Sequence, residues 1–477
     1  MDLQKPKFIT ENKSSFRIYF KAIFIAFMSI ILLVPISSIE STISNRSYLR
    51  NQVVRDIAQS STGAQTIAGP IIVVPYEVTY TRKKYDHDAQ KHVYENYTVD
   101  KTEYFLPEEL ELNGDTTMQE RYRGIYKAHI FNWNGVIKGH FKMPENFGVD
   151  EGDNPVKWKT PYLSLGIKDT RGIISKPKLS FAEQQVSFEA GPKYAGLKSG
   201  IHAPLSLSAA NMSQSIPFSI SLVLQGLQNF QIIPMGKTTT LSMKSDWPHP
   251  SFNGNQLPME RKISDSGFSA NWQTTWFANN IGSQFYDEVN SKDILNSLER
   301  KAFGVKFIDA VDVYQKSERS AKYGFLFIGL TFAAFFLFEV INQLKIHPVQ
   351  YGFVGLSLAM FFLLEFSLSE HMTFGLAYLI ASISCIFILG YYLSYAVKNK
   401  IWGISFAVML GTLYAALYGL LICEDLALVL GSLMLFLILS VAMILTRKID
   451  WYQVTKQEKV RKGINDHNMG QGEFIES

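Results

Sequence analysis

The sequence predicts a polytopic α-helical membrane protein carrying a large, mostly antiparallel β-domain, either a sandwich or a split barrel. Three observations predict it. Residues 323–446 read as one apolar helix after another, broken only by short polar joints. A lone apolar run without a charge, residues 22–39, stands near the N-terminus. The long stretch between them, residues 40–322, is water-soluble in character and rich in β-branched and aromatic residues at strand spacing. The mean hydropathy of +0.04 averages these parts and describes neither.

Residues 1–21 are polar and basic, with Lys5, Lys7, Lys13, Arg17 and Lys21. The run 22–39 then reads as a membrane helix. It has the length of a signal peptide, but no small-x-small cleavage site follows, since Ser37 and Ser38 substitute poorly. An uncleaved anchor is expected. Residues 40–61 continue as a helix, with Ile39, Ile43, Leu49, Val53 and Ile57 mostly at helical spacing, and Gly63 and Gly69-Pro70 are expected to end it.

Strand patterns follow over residues 71–81, 92–105, 161–167, 179–189, 218–233 and 238–245. Residues 122–133 and 135–143 read as a hairpin turning at Asn134-Gly135, a tight-turn dipeptide. Residues 85–91 read as a charged hairpin tip, 279–300 as helical, and 305–314 as a last strand. About ten to fourteen strands are expected, enough for a closed or two-layered core. Both ends of this domain are tethered to membrane helices, so they must lie close together. The region contains no cysteine, so its stability must come from its own core.

The apolar block divides into spans at 323–342, 352–368, 374–396, 401–422 and 426–446. Each has about twenty residues, which at 1.5 Å per residue matches ~30 Å of hydrocarbon. With 22–39 there are six spans. Lys345 with His347, Lys398 with Lys400, and Arg447 with Lys448 fall on the same side as the N-terminus. The opposite joints carry Glu370-His371 and Glu424-Asp425. This is a positive-inside pattern that puts both termini, including the polar tail 447–477, in the cytoplasm and the β-domain outside. Tyr391, Tyr392, Tyr395, Trp402 and Trp451 form an aromatic belt near the inner boundary. Small residues four apart, Ala377/Ala381 and Ala415/Gly419, suit close helix packing.

Ionisable groups inside a membrane mark transport paths or structural pairs. Glu339 and Glu365 each lie about three residues from a span end, so both are expected to reach the interface by snorkelling. Neither lies mid-span, which weakens an ion-coupled reading. Glu370 and His371 at an outer joint suit a polar turn or a contact between bundle and β-domain; a proton-sensitive or metal-ligating pair is the sharper alternative. His347-Pro348 most simply starts a helix. His87 and His92 with Asp86 and Asp88 have no metal-site spacing, and no HExxH, paired-cysteine, Walker or GxSxG motif is present. Cys385 should lie mid-membrane and Cys423 near the outer surface, too far apart in depth to bond. Neither cofactor nor metal is expected. The net charge of +4 is explained by residues flanking helices, and no basic stretch with interleaved aromatics suggests nucleic acid.

Several stretches together resemble one family: 60–75 (SSTGAQTIAGPIIVVP), 246–254 (DWPHPSFNG), 267–280 (GFSANWQTTWFANN), 323–339 (YGFLFIGLTFAAFFLFE), 347–355 (HPVQYGFVG) and 369–371 (SEH). They are similar to the CreD family of bacterial inner-membrane proteins, the cell envelope integrity proteins. The resemblance runs from the first span to residues 447–451 (RKIDW). It implies a Gram-negative inner-membrane protein with a large periplasmic domain, associated with envelope integrity and a stress-linked two-component regulon, and it supplies no catalytic residues. The expected function is non-enzymatic: the β-domain binds a periplasmic protein or envelope component, and the bundle anchors it in the lipid bilayer. The alternative is a transporter or channel component gated by the β-domain.

Overall fold

The computed structural model describes residues 13–86, 91–207, 215–289, 294–308, 313–342, 344, 346–423 and 426–447. The chain divides into two compact units, residues 50–310 and residues 1–49 with 311–477.

The first unit is built from two sheets. One contains β1 (Gln65–Asp86), β2 (Lys91–Phe105), β5 (Val156–Trp158), β6 (Tyr162–Ile167), β9 (Glu189–Ala190), β10 (Gly200–Pro204), β12 (Asn229–Ile233), β14 (Pro250–Gly254) and β17 (Phe303–Phe307). The other contains β3 (Glu109–Arg123), β4 (Tyr126–Lys142), β7 (Lys178–Phe181), β8 (Gln184–Ser187), β11 (Ser215–Leu227), β13 (Thr238–Ser245), β15 (Glu260–Ser264) and β16 (Gly267–Thr275). Pairing is antiparallel except for β1 with β12 and β3 with β13. Alternation decides which face is buried: Phe218, Ile220, Leu222 and Leu224 of β11 point inward and are buried. The two sheets face each other across aromatic pairs, Trp133 with Phe230 at 5.1 Å and Phe131 with Phe307 at 5.3 Å between ring centroids. The architecture is a sandwich, with helices α4 (Ile281–Glu288) and α5 (Ile294–Glu299) where helix was expected and a short α3 (Trp276–Asn279) just before it.

Four local expectations are corrected. Asn134-Gly135 is no turn: β4 runs straight through it, and the β3–β4 hairpin turns at Gly124, with Arg123 opposite Tyr126. The glycine serves an aromatic ring instead. Gly135 pairs with Gly114 across the strands, and a Cβ on either would come within 2.2 Å of the buried Trp133 indole. Residues 218–233 form two strands, because Gln228 adopts φ 58° and passes the chain from β11 in one sheet to β12 in the other. The last strand stops at Phe307, and a helix begins at Val313. Gly69-Pro70 lies inside β1, where the pairing with β6 shifts register between Ala68 and Ile71.

The second unit is helical. α1 (Lys13–Ile31) and α2 (Leu33–Ser60) are followed by α6 (Val313–Ile341), α7 (Pro348–Ser369), α8 (Phe374–Ala396), α9 (Lys400–Ile422) and α10 (Ala427–Thr446). Among the described residues six helical segments are long and apolar enough to cross a membrane. α2 serves both units: Ile36, Ile39 and Ile43 pack in the bundle, while Val54, Ile57 and Ala58 pack on Ala128, Ile130 and Leu227 of the sandwich. Leu49 between them is exposed. Pro348 starts α7 with His347 as its cap: His347 Nδ1 accepts the Val349 N–H at 3.3 Å, and Gln350 Oε1 accepts the His347 N–H at 3.0 Å. Ala377 and Ala381 are buried, but Ala415 and Gly419 face outward. Cys385 is buried and Cys423 exposed, and both are free.

Candidate functional site: buried carboxylates of the bundle

Glu339 and Glu365 do not snorkel. Both are buried, Glu365 completely. Each is turned inward by its helix, because the opposite face of that helix is occupied by apolar side chains that remain exposed, such as Ile341 on α6 and Leu356 and Leu363 on α7.

Glu339 sits near the end of α6 in a fully partnered site. The ammonium of Lys21 from α1 donates to Glu339 Oε1 and to the Ile346 carbonyl oxygen, the latter at 2.6 Å. The Ile346 N–H donates to Glu339 Oε1 at 3.2 Å, and the Tyr351 hydroxyl of α7 donates to Oε2 at 2.7 Å. Lys21 Nζ also lies 5.5 Å from the Tyr351 ring centroid. Three helices and the joint after α6 are tied together at one carboxylate. Desolvating a charge is costly, and this geometry offsets the cost by satisfying both oxygens.

Among the described residues no cation pairs with Glu365, on α7. The Ser317 hydroxyl of α6 donates to its Oε1 at 3.0 Å, and Ser317 Oγ lies 3.4 Å from Ser369 Oγ. Its Oε2 makes no hydrogen bond among the described residues. Neither does the hydroxyl of Ser320, which lies beside the same carboxyl short of hydrogen-bonding geometry.

Glu370 and His371 part company. Glu370 turns toward the bundle, where Tyr314 Oη lies 3.4 Å and Arg46 Nε 3.8 Å from its Oε1. His371 is exposed, and its backbone N–H bonds to the Leu368 carbonyl at 3.0 Å. The two therefore do not form a ligand pair. Among the described residues no group of three or more His, Cys, Asp or Glu is placed to hold a metal ion. His87 and Asp88 lie outside the described residues, as do Lys345, Glu424, Asp425, Lys448 and Trp451.

The sequence reasoning missed Lys21, Tyr351 and Ser317. It also missed a junction in the sandwich unit at the C-terminal end of α2. Asp169 accepts from Arg171 Nη2 at 2.7 Å and from the Gly63 N–H at 2.8 Å. Arg171 Nη2 donates onward to the Ala58 carbonyl at 3.1 Å, placing a cation on the last turn of α2, where the helix dipole favours it. Gln65, fully buried, donates to the carbonyls of Asp169 and Gln225 at 2.9 and 2.8 Å. The Arg171 guanidinium beside Asp169 holds its carboxyl below the usual carboxylate range, assisted by the Gly63 and Arg171 N–H groups. Close by, Val54, Arg55 and Ala58 line a cavity of about 380 Å³ with Asn229, Asn253 and Lys306. The two ends of the β-unit therefore lie side by side.

The comparisons place the chain among inner-membrane proteins. The family model for the inner membrane protein CreD matches residues 17–452. The chain belongs to the CreD family. It is 33% identical to inner membrane protein CreD of Escherichia coli (strain K12) over 426 residues, covering 89% of this chain and 91% of that protein. It is thus a multi-pass membrane protein in contact with the lipid bilayer. Among solved structures it is similar to an M1 zinc metallopeptidase of Deinococcus radiodurans, a mutant bound to a Tyr-Ser-Ala substrate. That similarity has a TM-score of 0.21 at 8% identity over 35% of this chain and 38% of the other, and it carries no argument. Four of the six stretches that carry the family resemblance fall on these joints. Residues 60–75 contain Gly63 and Gln65 of the α2 junction, residues 323–339 end on Glu339, and residues 347–355 contain Tyr351. Residues 369–371 contain Ser369 and Glu370.

Proposed function

We propose that the protein is a non-enzymatic inner-membrane component of the cell envelope whose β-domain, on the periplasmic side, binds an envelope protein or glycan and supports envelope integrity. Both termini are cytoplasmic in this reading, on the strength of the positive-inside pattern of the joints. The observation that carries the binding role is a ribbon. Beyond Thr79, whose N–H still bonds the Pro155 carbonyl, β1 and β2 pair only with each other among the described residues, from Tyr80 opposite Tyr97 to Asp86 opposite Lys91. This two-stranded ribbon has no third strand, and such a pair alone is marginally stable in water. Its exposed side chains include Tyr85, Val93, Tyr94 and Tyr97, with Tyr94 71% accessible. Tyrosine combines a large apolar surface with a hydroxyl and few rotors, which suits it to recognition.

In-cell photo-crosslinking from position 94, followed by mass spectrometry, tests the reading. A recurring envelope protein or glycan supports it. Only self-crosslinks, from a probe shown to be folded and reactive, count against it. A second reading, a transporter or channel component gated by the β-domain, is favoured by the carboxyl of Glu365, buried with no cation paired to it among the described residues. Proteoliposome flux that is lost on replacing Glu339 and Glu365 by Gln would favour that reading over the first.

A further inference from the structure

The geometry points to Glu365 as a proton-exchange site of the helix bundle, reached from the Glu370 end along the hydroxyls of Tyr314, Ser317 and Ser369. The carboxyl is fully buried, yet its Oε2 has no protein hydrogen-bond partner among the described residues. Nearly all buried polar oxygens are paired, so an unpaired carboxyl oxygen marks a functional position. The carboxyl is flanked by the hydroxyls of Ser317 and Ser320, a group that both donates and accepts. Ser317, which holds Oε1 at 3.0 Å, lies one helical turn from Tyr314, and Tyr314 reaches Glu370 at 3.4 Å. Ser369 lies 3.4 Å from Ser317 and one turn from Glu365; its own hydroxyl donates to the Phe366 carbonyl at 2.7 Å, so toward Ser317 it offers an acceptor oxygen. Glu370, with 11% of its side chain accessible, is the more open end of this seam.

The titratable and charged groups around Glu365 come from three helices besides its own. α8 contributes Tyr378, whose hydroxyl is committed to the Tyr414 carbonyl at 2.8 Å. Tyr314 of α6, Glu370 at the end of α7 and Arg46 of α2 gather one turn away. Arg46 stands at Glu370, its Nε 3.8 Å from Oε1. The step is a proton transfer alone. An O–H bond forms at Glu365 Oε1 as one breaks on the Ser317 hydroxyl, Ser317 Oγ takes a proton in turn from the seam, and hydronium at the Glu370 end supplies that proton and is left as water. Glu339 serves as the contrast, because both its oxygens are occupied and one faces an ammonium.

The site belongs to the bundle, so its test is independent of whether the β-domain binds a partner. The full chain, in lipid nanodiscs, is examined by infrared difference spectroscopy between two pH values. The expected result is a carboxyl band that responds to pH, is missing in Glu365→Gln and persists in Glu339→Gln. In Ser317→Ala/Ser369→Ala the band remains but its hydrogen–deuterium exchange slows about tenfold, one decade of rate for a lost relay. Should Glu365→Gln fail to fold, Ser317→Ala alone shifts the band by removing the hydrogen bond to Oε1. The inference is overturned if no band dependent on Glu365 or Ser317 responds to pH, or if exchange is unchanged in the serine double variant.

Discussion

Glu339 and Glu365 look alike in the chain: each is one carboxylate near the end of an apolar helix. The bundle treats them differently. Glu339 is held by an ammonium from α1, a backbone N–H and a phenol from α7. Glu365 is held by one serine, with its second oxygen unpaired. The first site is a tie between helices, and its energy depends on every partner being present. The second is a polar seam within apolar packing, where removing the carboxyl removes an unsatisfied group. The depth of a carboxylate in a span therefore says little about its role; its partners decide.

The largest expected effect comes from breaking the tie. Lys21→Met leaves Glu339 buried without its cation and should cost about 3–5 kcal/mol of bundle stability. Thermal unfolding in detergent measures it, and the double variant Lys21→Met/Glu339→Leu should regain most of the loss. If single and double variants unfold alike, Glu339 is no tie. Tyr351→Phe is next: it removes one hydrogen bond to a charged oxygen, a loss of about 1.5–3 kcal/mol in the same assay.

Asp169 supplies a third carboxylate, in the sandwich rather than the bundle, and extends the comparison to pH. Its carboxyl lies below the usual range, chiefly through Arg171. A group depressed in this way contributes stability that is fully present above its unfolded value of about 3.9 and lost as pH falls through the lower folded value. Asp169→Asn should cost about 1 kcal/mol at neutral pH, a discounted figure because the Arg171 partner is largely exposed. The variant should also lose part of the acid sensitivity of the wild type below about pH 4. Tryptophan fluorescence during denaturant unfolding reads this, since Trp133, Trp158, Trp247, Trp272 and Trp276 all belong to this unit. An identical acid profile in both proteins would remove Asp169 from the account.

The smallest effect is expected at Glu365. Replacing it with Leu removes an unpaired polar oxygen from an apolar surrounding, so stability should change by less than about 1 kcal/mol in either direction. A loss as large as that of Lys21→Met would make the two sites equivalent and end the comparison.

Much of this fold was legible because the signals were local. α8 (Phe374–Ala396) and β13 (Thr238–Ser245) begin and end where the pattern of apolar residues does. A helix of that length has one way to cover its backbone in hydrocarbon, and a strand with a strict period of two has one face to bury. Asn134-Gly135 was misread because two physical causes produce the same dipeptide: a turn needs a backbone free to reach positive φ, and a strand beside a buried indole needs a missing Cβ. The candidate sites were half legible. Glu339, Glu365, Glu370 and His371 stand out as ionisable groups in or beside apolar helices, but their partners are remote in the chain.

By itself, the sequence determined the six apolar segments, the β-rich stretch between the first and second, and the family. Each rests on composition and spacing that survive without knowledge of contacts. Only the tertiary structure decided that the β-unit is a sandwich, that α2 ends on Arg171, and that His371 is separated from Glu370. It also decided the difference between the two buried carboxylates. Lys21 and Glu339 are 318 residues apart. Whether a buried charge meets a cation or a hydroxyl depends on which helix faces pack together, and no local pattern encodes that.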